Sequence, residues 1–428
     1  MKKLLLLPLL IFIISGCRSL ESPGKTDYNF NVQITPSEEK ITSELRLSYM
    51  SPLEKADSIT FLLHKNLVVE SLTGENLRAF RFDTASAPPL PFTPEAGRLV
   101  IKLNSPLAKG EKTDFKLKYS GKIGIVSQWK INRIKEDWVE LGLYSPWFPF
   151  DPSLKEFSYN MSLGLPEGYK LSVNGHPEYK GGIYYVSNPH ADNDIVITAS
   201  KNMRQWRFSD DSISISLNSA SDISDSTAEG ILQLGKKILG NYIAWFGSKE
   251  GLETSIVISP RQTGGGYARK GFIVLSKISD KDFSTSKTDF VRYFSHEFAH
   301  LWFSSAPSDS WEDWLNESFS EFASLMMVRS LAGEKAFMER INKKKEKIDL
   351  LPKIRGLNRN SEEAYPVLYN KGCCCLYELE QELGKEEFLK LMKWVYSNRV
   401  TSTGMFLLEL ENKYGKTLAT NFSQKLDK

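Results

Sequence analysis

Histidine and cysteine are both scarce in this chain, at five and four among 428 residues. Three of the four cysteines are consecutive, Cys373 to Cys375. That excludes an ordinary disulfide framework, because neighbours on a helix point around its axis and no distant partner exists. A thiolate metal site fails for want of a second Cys or His cluster nearby, so the three read as small buried helix side chains. Charge of one sign is also missing: 55 basic against 52 acidic residues leave a net +3, which speaks against a nucleic-acid footprint. The lysine run from Lys343 to Lys347 follows a helical pattern containing acids and reads as a solvated helix face. There is no low-complexity tract, and 41% hydrophobic with 25% charged residues is the composition of a folded protein. At this length two domains are expected.

The N-terminal apolar run, Leu4 to Ile14, follows two lysines and is too short to span a bilayer comfortably. It has the layout of a cleaved signal segment, residues 1–16. Ile14-Ser15-Gly16-Cys17 resembles a bacterial lipobox, in which the cysteine is acylated and becomes the new N-terminus. A lipidated Cys17 would hold the protein on the outer side of a membrane of the cell envelope by acyl-chain burial. Residues 17–26 then form a polar tether.

Residues 27–203 show short alternating runs broken by turn residues, at 41–49, 58–74, 98–104, 113–121 and 157–168. They predict an all-β domain of sandwich or saddle type. His64, His176 and His190 fall there singly, as structural or exposed residues. Beyond residue 203 the period changes. Residues 227–247 read as an amphipathic helix ended by glycine, and two strands flank TGGGYARK, 263–270. From Ser284 onward the pattern is mostly helical, with capping-box signals at Ser286 and Ser310. Residues 204–428 are therefore expected to form an α+β domain.

The chemistry concentrates at His296-Glu297-Phe298-Ala299-His300. Histidines at i and i+4 share one helix face and can converge on one ion, and the glutamate between them can take a proton from water. With so few histidines the motif is not expected by chance. A catalytic zinc needs a third protein ligand. Asp313, Glu317 and Glu321 recur every four residues on the next helix, and each is eligible. The aromatics around them argue for partial burial, where a carboxylate needs a cation.

HEFAHLW followed by WLNESFSEF resembles the gluzincin metallopeptidases of the aminopeptidase N and leukotriene A4 hydrolase type. The resemblance implies a thermolysin-like zinc metallopeptidase domain behind a β-domain. Glu317 would be the third zinc ligand, and Glu321 would orient a liganding histidine. Asp313 is left with capping. Sixteen residues separate His300 from Glu317, two fewer than the family spacing, which would land on Phe319; the W-L-N-E context decides for Glu317. Leu368 to Gly372, LYNKG, resembles the family's Y-x-K-G segment and implies Tyr369 as the phenol facing the oxyanion. The family's large C-terminal helical domain is expected to have no counterpart.

One family feature is missing. Aminopeptidases of this type carry G-A-M-E-N, whose glutamate grips the substrate's α-amine. Here Gly265-Gly266-Tyr267-Ala268-Arg269 stands in its place, with Ala268 at the glutamate position and Arg269 and Lys270 following. The glycines still permit a close-approaching edge strand that binds an extended peptide. The expectation is a membrane-anchored zinc metallopeptidase acting on peptides or proteins that is not a standard aminopeptidase. An endopeptidase, or an enzyme preferring an acidic or blocked group, suits the cations better. The competing readings are a surface lipoprotein with a vestigial zinc site that only binds, and a zinc hydrolase with a non-peptide substrate.

Overall fold

The computed structural model describes residues 24–86, 90, 92–124, 131–191, 193–247, 252–262 and 265–428. The expected signal segment, Cys17 and most of the expected tether lie outside them.

Period-two alternation builds the first half. In strand Asp27–Thr35 the residues Tyr28, Phe30, Val32 and Ile34 are buried, and in Lys40–Met50 so are Ile41, Leu45, Leu47 and Tyr49. Among the described residues these strands sit inside a seven-stranded sheet. Its order is His176–Lys180, Ile183–Ala191, Phe157–Gly164, Asp27–Thr35, Lys40–Met50, Lys112–Lys122, Leu67–Thr73. Three-stranded and four-stranded sheets complete the β-domain. The run 58–74, which reads as one strand in the sequence, divides at Lys65-Asn66 into strands belonging to two sheets.

His64 occupies that corner, buried, with its Nδ1 accepting from the Asn66 N–H at 3.2 Å. Burial, with the nearby Lys65 adding to it and Glu95 opposing, lowers its pKa to about 4. The folded chain therefore binds this proton less readily than the unfolded chain does. The resulting penalty is absent above the unfolded value near 6.5 and grows as pH falls toward 4, to about 3 kcal/mol. His64→Asn keeps a comparable acceptor and should flatten the acid limb of stability between these pH values, measured by denaturant titration.

The second half is α+β. Its sheet runs Arg204–Ser209, Ile213–Ser219, Leu252–Ile258, Phe272–Leu275, Tyr267–Arg269, so the last of these is an edge strand, antiparallel to its neighbour. Helix α1 (Asp225–Phe246) starts where Ser224 Oγ accepts from the Thr227 N–H and stops at Gly247, whose φ is 107°. Helix α2 (Asp280–Thr285) opens on a capping box made by Ser279 and Asp282. Helix α3 (Lys287–Ala299) follows at once from Ser286. Ser286 is indeed the boundary residue, but its side chain makes no cap bond. It also closes α2, and its backbone (φ −116°, ψ 40°) departs from the extended geometry that aims a hydroxyl at the next turn. Ser310 caps a 3-10 turn, Trp311–Asp313, ahead of helix α4 (Trp314–Lys345). Helix α4 is broken at Gly333, where φ is 89° and ψ is 169°.

The two halves meet through a small apolar cluster. Ile131, Trp138, Val196 and Met203 of the β-domain pack on Val257, Tyr267, Phe272 and Val274 of the second sheet. Fully burying side chains of this size contributes about 1.5–3 kcal/mol each. The β-domain thus lies against the sheet beside its edge strand. Cys373, Cys374 and Cys375 are buried, free thiols on the helix Gly372–Leu383.

Candidate metal centre and active site

The motif occupies the last turn of α3, with His300 at the C-cap still in right-handed helical geometry (φ −61°, ψ −16°). The two imidazoles therefore stay on one face. The carbonyl of Ser295 accepts from Tyr242 Oη at 2.8 Å, which ties this turn to α1. Glu317 comes from the first turn of α4. The loop before it is pinned by its neighbour Asn316, whose amide accepts from the Ala306 N–H at 3.0 Å and donates to the Ala306 carbonyl at 2.9 Å. That clamp fixes the loop that delivers Glu317 to the histidines.

His296 Nε2 and His300 Nε2 are 3.2 Å apart, and Glu317 Oε2 lies 3.4 Å from the first and 3.7 Å from the second. Ligands at zinc distances around a tetrahedral ion are about 3.3–3.4 Å apart. His296 Nδ1 lies 3.0 Å from Glu321 Oε2, and His300 Nδ1 lies 3.2 Å from the Phe303 carbonyl and 3.1 Å from Ser320 Oγ. With the Nδ1 protons given to these oxygens, both Nε2 lone pairs face inward. Glu317 Oε2 is buried and has no hydrogen-bond donor among the described residues. Three ligand atoms converging at these distances suit a cation, and a set of two imidazoles and one carboxylate suits zinc.

Glu297 is buried beside them. Burial raises its carboxyl to about 7, with His296 opposing and Glu317 adding to the rise. Gly266 approaches it closely: a Cβ there would stand 2.8 Å from Glu297 Oε1 and 2.7 Å from Tyr293 Oη. Tyr369 lies on a π-helical turn, Val367–Lys371, a distortion frequent at functional sites. Its ring stacks on His296 at 5.0 Å and on Tyr365 at 4.2 Å. Burial and the Glu317 carboxylate push its phenol well above the usual value, so it stays protonated. A Cβ on Gly372 would collide with Ser318 Oγ and approach Ser318 Cβ to 2.9 Å. Gly372→Ala should therefore cost about 1–3 kcal/mol of stability, read by denaturant unfolding, as α4 and the Tyr369 turn are forced apart.

Residues 268–424 match the Peptidase family M1 domain. This segment is similar to M1 peptidase domains. A stretch covering 34% of the chain is 30% identical over 168 residues to Endoplasmic reticulum aminopeptidase 2 of Homo sapiens, and spans 15% of that protein's length. The fold resembles that of the M1 zinc metallopeptidase from Deinococcus radiodurans. The TM-score is 0.70 at 14% identity, with 94% of this chain and 93% of that one covered. A mutant of that enzyme bound to a Tyr-Ser-Ala substrate aligns at TM-score 0.71 and 16% identity over the same shares. The arrangement of a β-rich domain before a mixed α+β domain fits this likeness.

Ala268 lies within the edge strand Tyr267–Arg269, part of the segment that the sequence reads as a connection between two strands. Arg269 does not stand as an open cation: it is 9% exposed, and its Nε donates to Asp194 at 2.8 Å. Lys270 is exposed, with Nζ 3.4 Å from the His190 carbonyl. A second buried pair joins Arg261 Nε to Glu140 Oε2 at 3.2 Å. Glu140 also accepts from Tyr267 Oη at 3.1 Å, Trp138 Nε1 at 2.8 Å and Ser259 Oγ at 2.9 Å. Arg261 in turn donates to the Gly265 carbonyl at 3.1 Å, where φ is 61°. Asp313, assigned only to capping in the sequence, makes no cap bond. It is buried and accepts from Arg359 Nε at 2.6 Å and Asn316 Nδ2 at 2.8 Å. Glu140, Asp194, Arg261 and Arg359 escaped the sequence reading, since each pairs across a long stretch of chain.

Proposed function

We infer that this chain hydrolyses peptide bonds at a zinc ion held by His296, His300 and Glu317. The observation that carries the reading is the convergence of three inward-facing acceptors with Glu297 and Tyr369 beside them. Bound there, zinc would supply Lewis acidity to water and to the scissile carbonyl. Glu297, poised near neutrality, takes the proton of the attacking water and returns it to the leaving amine. The Tyr369 phenol donates to the carbonyl oxygen as negative charge develops. The edge strand Tyr267–Arg269 offers its backbone to an extended substrate, and Gly266 lets that strand lie against Glu297.

The same reading holds that the enzyme is not a standard aminopeptidase. Ala268 supplies no carboxylate, and the two buried acids behind the edge strand, Glu140 and Asp194, are each met by a guanidinium. An ammonium would find little net negative charge there. Because Arg269 is spent on Asp194, support for an acidic preference falls away, and internal or N-terminally blocked peptides fit best. Profiling a peptide library with free and acetylated N-termini, with chelator and Glu297→Gln controls, tests this. Chelator-sensitive cleavage of blocked or internal bonds is expected; cleavage confined to free N-termini would overturn it.

Attachment to the cell envelope through lipidated Cys17 belongs to the same proposal. Among the described residues no helix is long and apolar enough to cross a membrane. Mass spectrometry of the mature N-terminal peptide should find an acylated Cys17, and Cys17→Ala should move the protein out of the membrane fraction.

A further inference from the structure

The geometry points to Lys344 as a positioning residue that ties His296 and Tyr369 into one arrangement, an inference that rests on the zinc site proposed above. Lys344 belongs to the lysine run that reads as a solvated face. Lys343, Lys345 and Lys347 are indeed exposed, but Lys344 turns inward and is 12% exposed. Its Nζ lies 2.6 Å from Glu321 Oε1, 3.0 Å from the Tyr369 carbonyl and 3.2 Å from Asn370 Oδ1.

The contact exists only because α4 is broken. Along an unbroken helix, 23 residues would separate Lys344 from Glu321 by about 34 Å. Gly333, with a φ of 89° that glycine adopts without steric cost, reverses the chain and brings its last turns back over its first.

The result is a closed circuit. Lys344 holds one oxygen of Glu321; the other oxygen faces His296 Nδ1 at 3.0 Å. The His296 ring stacks on Tyr369, and the Tyr369 carbonyl returns to Lys344. Arg292 Nη1 donates to both Glu321 oxygens, at 3.1 and 3.0 Å, and so adds charge without choosing between them. Beside His296 itself, Lys344 is a second residue that reaches both the carboxylate and the Tyr369 turn. Removing its ammonium frees Glu321 to rotate and the turn to shift, so one change should disturb both the metal ligand and the phenol.

The test compares Lys344→Met, Lys344→Gln and Lys344→Arg in the full chain. The readouts are zinc affinity by chelator competition, the visible spectrum of the cobalt-substituted protein, and kcat and KM. Lys344→Met and Lys344→Gln should each weaken zinc binding about 10–100-fold, alter the cobalt bands and lower kcat with little change in KM. Lys344→Arg should recover most of the zinc affinity. Combining Lys344→Gln with Glu321→Gln should cost little more than the worse single change, as expected of one linked unit. Zinc affinity and cobalt bands unchanged in Lys344→Gln would overturn the proposal, whatever its thermal stability. Should Lys344→Met fail to fold, Lys344→Gln decides the matter, because it keeps a hydrogen-bond donor. Zinc affinity and the cobalt spectrum do not depend on peptide hydrolysis, so failure of this inference is distinguishable from failure of the peptidase reading.

Discussion

Glu297→Gln is expected to retain bound zinc and to hydrolyse peptides about 10²–10⁴-fold more slowly than the wild-type chain. The amide has the same shape, so it fills the space against Gly266 and Tyr293 and leaves the ligand trio alone. What it loses is a basic oxygen. The carboxyl at this position is held at about 7 chiefly by burial, which makes it both able to accept a proton from water and able to release it to an amine near neutral pH. Steady-state hydrolysis with metal content measured on the same sample checks the expectation. A variant with zinc and undiminished turnover would remove Glu297 from the mechanism. A variant without zinc would show that the carboxylate helps to hold the metal instead.

Glu317→Gln is expected to weaken zinc binding by more than about 10²-fold, beyond the range typical of residues that only support a ligand. The reason is charge. Burial works to raise the Glu317 carboxyl, yet His300, His296 and Tyr369 together hold it at about 2, so the group is anionic at any pH where the enzyme would work. An amide keeps the shape but offers a neutral oxygen to a divalent ion. Glu321→Gln is the comparison. Its carboxylate touches Arg292, His296 and Lys344, and its loss should be felt through the His296 ring alone, within about 10–100-fold. Chelator competition on the two variants separates them, and equal losses would contradict the division between ligand and support.

Much of this site was legible because its chemistry is local. His296, Glu297 and His300 fall within one helical turn and a half, and the W-L-N-E context identified Glu317 where strict spacing pointed to Phe319. In the structure Asn316 clamps the loop ahead of Glu317, and Glu317 rather than Phe319 comes near the two histidines. Alternation likewise revealed the β-strands, since a half-buried strand writes its pattern residue by residue. What stayed hidden depends on contacts between distant segments. Lys344 looked like one solvated lysine among several because its inward turn follows from the reversal at Gly333; a glycine inside a long helical pattern was the available signal. Glu140 and Arg261, 121 residues apart, meet only when the two domains pack. Ser279 and Asp282 carry the same capping pattern as Ser286, and there the structure forms the box.

Those interdomain pairs also bear on how the molecule comes apart. Glu140–Arg261 and Asp194–Arg269 each place an acid from the β-domain against a base from the catalytic half, and the two acids are fully buried. Separating the halves as intact bodies would strip four charges of their partners and bare the Trp138 cluster at once. The connection between strands Ile197–Ser200 and Arg204–Ser209 is only three residues long, Lys201 to Met203. Such a seam favours one cooperative melting event in calorimetry over two. A protease that nicks this short connection should leave two fragments still eluting together.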